Sequence, residues 1–162
     1  MHKILIPILT VVALALAAGS CNTSGCTDNQ NALPLAGFYS SSTGQAISVP
    51  DLEIYGQGVP NDSALYNTGA GLSEVYLPFR ADKSETTYNF KYLLADSTTV
   101  TDKISFTYTS EPYFASEECG AMYYYHIKSL GYTTNLIDSV VILDSLITNV
   151  ENQRIHIYFR TE

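Results

Sequence analysis

Tyr88-Asn89-Phe90-Lys91-Tyr92-Leu93-Leu94 and Lys103-Ile104-Ser105-Phe106-Thr107-Tyr108 are the stretches that decide the fold. In the first, Tyr88, Phe90, Tyr92 and Leu94 alternate with Asn89, Lys91 and Leu93. In the second, Ile104, Phe106 and Tyr108 alternate with Lys103, Ser105 and Thr107. Successive side chains of an extended chain point to opposite faces, so a period of two sends one set into a core and the other toward water. Working outward, the same period recurs in Val75, Leu77 and Phe79, and again in Ile155, Ile157 and Phe159. Ala46–Tyr55 is strand-like, with Pro50 predicting an edge or a break. Ala121–Lys128 holds Tyr123-Tyr124-Tyr125, apolar to both faces, which predicts a central strand. Gly56–Gly71 holds four Gly and a Pro and is expected to be mostly loop.

One stretch fits two templates. Leu136, Val140, Leu143 and Ile147 fall on a helical stripe, but the β-branched run Val140-Val141-Ile142 favours a strand. The sum is seven or eight strands between turn-rich stretches, with no alternation of strands and helices. The expected fold is all-β, an antiparallel two-sheet β-sandwich, immunoglobulin-like in general architecture. The chain has no Trp, so the Cys…Trp…Cys signature of true immunoglobulin domains is absent.

The N-terminus carries a different message. Met1-His2-Lys3 precedes an apolar run from Ile4 to Ala18, followed by Gly19-Ser20-Cys21. A basic start, a short apolar core and small residues before a cut site make an export signal. The run is shorter than the ~20 apolar residues that a transmembrane helix needs, and Pro7 interrupts it. Ala18-Gly19-Ser20-Cys21 resembles the bacterial lipobox, in which the Cys is acylated and becomes the new N-terminus. The alternative is an ordinary signal peptide that leaves Cys21 a plain thiol. The expected organisation is a lipoprotein signal peptide at 1–20, a lipidated polar tether at 21–31 and a single domain at 32–162.

Removing residues 1–20 takes Lys3 away, so the mature charge is 7 − 16 = −9. Phosphate backbones need Lys and Arg, so nucleic acid is not an expected partner. The same charge disfavours adsorption to anionic lipid. With Cys21 lipidated, Cys26 and Cys119 remain. In an oxidising compartment they are expected to form a disulfide, the alternative being two free thiols.

The order of lipobox, polar tether, Leu33-Pro34-Leu35, Tyr76-Leu77-Pro78-Phe79 and Glu118-Cys119-Gly120 resembles small Bacteroidetes lipoproteins of unknown function. That resemblance covers the whole chain and implies an outer-membrane address, but no activity. It also implies O-glycosylation at Asp-Ser/Thr sites, here at Ser63, Ser97, Ser139 and Ser145. Such sites require exposed loops, and Asp-Ser is also common turn chemistry.

Candidate catalytic groups are sparse. The mature chain has two His, His126 and His156, both in strand-like segments, and no Gly-x-Ser-x-Gly elbow. Glu117 and Glu118 are adjacent and point to opposite faces of an extended chain, so they cannot flank one glycosidic bond. No catalytic residue, metal site or cofactor is expected. The tyrosines stand out: Tyr55, Tyr66, Tyr76, Tyr113, Tyr123, Tyr124 and Tyr125 could build a stacking surface for a glycan or an envelope protein, and Tyr also fills sandwich cores. The leading expectation is a non-enzymatic, lipid-anchored binding module of the outer membrane facing the periplasm, with the membrane as one partner through its lipid. The alternative is a structural subunit at the cell surface, pilin-like or an adhesin component, in which Arg80 would be a maturation cut.

Overall fold

The computed structural model describes residues 31–59, 64–69, 71–94, 97–117 and 119–161. They form ten strands in two sheets that pack face to face. The strands are β1 (Leu35–Ser40), β2 (Leu52–Gly56), β3 (Ala64–Thr68), β4 (Glu74–Tyr76), β5 (Glu85–Leu93), β6 (Thr99–Ser116), β7 (Gly120–Tyr132), β8 (Ile137–Ile142), β9 (Leu146–Ile147) and β10 (Gln153–Phe159). One sheet runs β4-β1-β10-β8 and the other β3-β2-β5-β6-β7-β9. The β-sandwich is as expected, with more strands than the periodicity marks. All pairings are antiparallel except one: β1 runs parallel to β10, with Phe38 opposite Ile157.

The alternating rows build the core. Ile104 and Phe106 are fully buried, and Tyr88, Phe90, Tyr92, Tyr108, Val75, Leu77, Phe79, Ile155, Ile157 and Phe159 all lie inside. Each such side chain contributes about 1.5–3 kcal/mol of burial. Edge-to-face ring contacts, Phe38 with Phe90 at 6.5 Å and Tyr92 with Phe159 at 6.0 Å, cross between the sheets. The 136–147 stretch forms strands β8 and β9, so the β-branched signal outweighs the helical stripe.

The break expected at Pro50 is present: Ala46 and Val49 make isolated bridges, and β2 starts at Leu52 after a turn in which Asp51 takes φ +51°. Two local expectations are corrected. The stretch expected to be loop contains β3, paired with β2 at the sheet edge. The run at Tyr123–Tyr125 is not central, because β9 covers β7 only at Tyr125 and His126.

Two anchors fix the connections. Asp102 lies on the inward phase of β6 and is fully buried. Its carboxylate accepts the Thr133 hydroxyl at 2.7 Å and the backbone N–H groups of Asn135, Leu136 and Ile137 at 2.8, 2.8 and 3.0 Å. A buried charge is tolerated only with such partners, and here it pins the crossing from β7 in one sheet to β8 in the other. In the Tyr76-Leu77-Pro78-Phe79 motif, Phe79 stacks on Tyr108 at 4.3 Å and meets Tyr125 edge-on at 5.6 Å. The Tyr108 hydroxyl donates to the Arg80 carbonyl at 3.1 Å and accepts the Arg80 N–H at 3.0 Å, closing the β4–β5 connection over the core.

Candidate functional site

Beyond the body of the sandwich, β6 and β7 continue as a pair. The β5–β6 ladder ends where Glu85 faces Thr107. On the other side, the β7–β9 ladder reaches only Tyr125 and His126. Glu111–Ser116 and Gly120–Tyr124 therefore form a two-stranded arm with no third strand beside it among the described residues. A lone two-stranded ribbon is marginal in water, so the arm needs local support. Tyr113 stacks on Tyr124 at 4.2 Å and 16°, and the Tyr124 hydroxyl donates to Asn149 Oδ1 at 2.8 Å. Ser110 Oγ donates to the Ala81 carbonyl at 3.1 Å, and the Cys119 N–H donates to Ser116 Oγ at 3.0 Å in the turn. Pro112 removes one N–H from an open edge and so discourages strand addition there.

The arm displays rings on both faces. The register puts Glu111 opposite Tyr124 and Tyr113 opposite Met122, so these four share one face. Pro112 opposite Tyr123 and Phe114 opposite Ala121 lie on the other. Tyr113 is 42% exposed, Tyr123 45% and Phe114 65%. Met122 is buried.

The arm leaves the sandwich at the end where the domain begins. Leu35 faces Tyr76 on one side and Gln153 on the other, so residues 31–34, the start of β10 and the end of β4 share that end. Asn149, which holds Tyr124, lies in the β9–β10 connection leading into Gln153. Asn31, Leu33, Tyr76, Val150 and Glu151 line a shallow depression next to it. Leu33 and Val150 are exposed there. A strip of apolar and aromatic groups thus runs from the chain's entry to the arm. Within it the Tyr76 hydroxyl donates to Glu151, which with burial pushes the Tyr76 phenol up to about 12.

The seven tyrosines singled out in the sequence do not form one surface. Tyr125 is buried against Phe79. The Tyr66 hydroxyl accepts the Tyr76 N–H at 2.9 Å and so joins β3 to β4. Tyr55 lies on β2, away from the arm. On the arm, Tyr113 and Tyr124 stack on one face and Tyr123 stands on the other, while Tyr76 lines the neighbouring depression. Phe114, the most exposed ring of the arm, was not singled out in the sequence. Its signal is an aromatic residue at the turn end of an alternating run, close to Cys119.

The other sequence candidates are dispersed. His126 Nε2 is 3.6 Å from the Glu111 carboxylate on the six-stranded sheet. His156 is on the other sheet, packed on Tyr39 at 4.2 Å. Burial lowers the His156 imidazole below its ordinary value. The two histidines cannot share a ligand, and no group of three or more His, Cys, Asp or Glu gathers as a metal site among the described residues. Ser97 is exposed in the β5–β6 turn at φ +65°, and Ser145 is exposed between β8 and β9. Ser139 is half-buried within β8 opposite Tyr158 rather than in a loop. Ser63, Cys21 and Cys26 lie outside the described residues, as does Glu118. Cys119 is half-buried at the arm's turn.

No curated protein and no solved structure matches the chain significantly. Residues 51–159, which hold β2 to β10 with the arm and Asp102, match a family described only as a family of unknown function (DUF6452), and the chain belongs to that family.

Proposed function

We propose that the chain is a non-enzymatic interaction module of the cell envelope, exported by residues 1–20 and anchored through a lipid on Cys21 at the outer membrane. The single observation that carries the interaction role is the arm, a two-stranded ribbon with no third strand beside it among the described residues and with Tyr113, Phe114 and Tyr123 exposed on its two faces. Exposed aromatics on a projecting element lose little conformational entropy on docking and bury much apolar area. Export and anchorage rest on the sequence of residues 1–21 and on the resemblance to Bacteroidetes lipoproteins. The disulfide between Cys26 and Cys119 and the glycans at Ser97 or Ser145 belong to the same proposal. They are read by mass, as a gain of two hydrogens on reduction and as a hexose-scale increment that the Ser→Ala variants lose.

The deciding experiment places a photo-crosslinking phenylalanine analogue at Phe114, and separately at Leu93 as control, in the full chain expressed in cells. A defined adduct from position 114 alone supports an interaction role for the arm. Adducts absent from both positions, together with turnover of an envelope substrate by the purified protein, would sink it. Heat-resistant ladders of the protein itself would turn the reading toward a pilin-like subunit.

A further inference from the structure

We infer that the arm end is a shallow membrane-docking surface, and that the arm's partner is the headgroup region of the bilayer that carries the anchor. This rests on the proposed lipid at Cys21. The first argument is reach. Ten chain steps lead from Cys21 to Asn31 (31 − 21), at most about 35 Å of extended chain. The tether delivers the domain by the end that holds Leu33, Val150 and the arm. With the lipid inserted, this end faces the membrane at short range.

The second argument is the two-sided display. A flat protein surface would cover only one face of a ribbon. Here Tyr113 is exposed on one face and Phe114 and Tyr123 on the other. Rings on both sides of a projecting tip suit a medium that surrounds it. The bilayer interface is such a medium, favouring amphipathic rings with an apolar body and a polar tip.

The backbone limits the depth. Among the described residues no third strand pairs with the outer edges of the arm, and strand edges of that kind cannot enter hydrocarbon. Glu111 and Glu117 are exposed on the arm and hold it near water. Docking is therefore confined to the outer ~5–10 Å, as for interfacial amphipathic segments. The acidic balance also selects the lipid: attraction comes from the rings, so zwitterionic headgroups suffice and anionic ones add nothing.

The chain contains no Trp, so one introduced Trp is an unambiguous reporter. Full-length lipidated protein bearing F114W, or L93W at the far end of β5, is reconstituted into phosphatidylethanolamine–phosphatidylcholine vesicles containing brominated acyl chains. Leu93 is 53% exposed and Phe114 65%, so both variants keep the fold, checked by circular dichroism. The expected result is a blue-shifted F114W emission, mostly quenched by the brominated lipid, with L93W unquenched. Equal, water-like emission from both reporters, with the acyl mass present on Cys21, overturns the docking while leaving the anchor. A defined protein adduct at position 114 in cells overturns it too, and leaves the interaction role standing. Absence of the acyl mass overturns the anchor and the docking together. Quenching that requires anionic lipid would overturn the aromatic basis of the contact.

Discussion

The β6–β7 hairpin lives in two environments along its length. In the body, β6 lies between β5 and β7, and every second side chain from Asp102 to Tyr108 is buried. In the arm, the same two strands continue with no third strand beside them among the described residues, and the rings at 113, 114 and 123 are 42%, 65% and 45% exposed. Aromatic residues recur in both halves, but the alternation with polar residues seen in the body gives way in the arm to adjacent rings, Tyr113-Phe114 and Tyr123-Tyr124. What also changes is whether a second sheet lies opposite. Strand propensity is thus spent on stability in one half and left as free surface in the other, which is where a partner can be met.

The sharpest way to break this comparison is to truncate one ring in each half. Phe106→Ala should cost about 3–5 kcal/mol, because it empties a fully buried site in contact with Phe79. Phe114→Ala should change stability by no more than about 0.5 kcal/mol, and should weaken the lipid contact. Urea unfolding of both variants measures the difference. Comparable losses would mean that the arm is part of the folding unit and not free surface.

Asp102 tests the body from its polar side. Asp102→Asn keeps the shape but presents an NH2 group to backbone N–H donors of the 135–137 segment. Leaving buried donors without acceptors should cost about 2–3 kcal/mol, readable in the same unfolding experiment. Hydrogen exchange should quicken at Asn135, Leu136 and Ile137 before it does in the arm. Unchanged exchange there would remove the carboxylate as the pin of the β7–β8 crossing.

How far the sequence carries the fold follows from these same residues. The rows around Phe90, Phe106 and Ile157 were legible because one face is dry and the other wet, which imposes a period of two. The β1 strand was not, because Leu35, Ala36, Gly37 and Phe38 are buried on both faces and no alternation survives. Gly37 has a further role hidden from the pattern: a Cβ there would run into Gln153 Oε1, so the glycine lets the Gln153 amide cross β1 and accept the Tyr39 hydroxyl at 2.7 Å. Asp102 stands in phase with Ile104 and Phe106, and that misplaced polarity was the available signal for it. The arm was half legible. The tyrosine run drew attention, but whether a Tyr is core or surface depends on where the neighbouring strands stop, which is tertiary information. Tyr125 and Tyr123, two residues apart on one face, have opposite fates for that reason.

The smallest expected effect sharpens the comparison on the outer face of the four-stranded sheet, where rings pack on one another rather than standing free. His156 lies 4.2 Å from Tyr39 and 6.2 Å from Tyr158, and burial depresses its imidazole below 6.5. The folded state thus favours neutral His156. Its contribution to stability is full above pH 6.5, the unfolded value, and is lost as pH falls through the lower folded value. Because the ring is partly exposed, the effect is a minor shift of the urea midpoint, smaller in His156→Phe than in the parent when each is compared between pH 7 and pH 5. The direct check is the ring proton resonance of His156, which should titrate below the free imidazole, with the Tyr39 and Tyr158 resonances moving alongside it. A His156 titration above 6.5 would show that the ring is held in its charged form and would reverse the sign of the shift. Rings that pack on a sheet face respond to their neighbours in this way. Those of the arm, on the present reading, should respond instead to lipid.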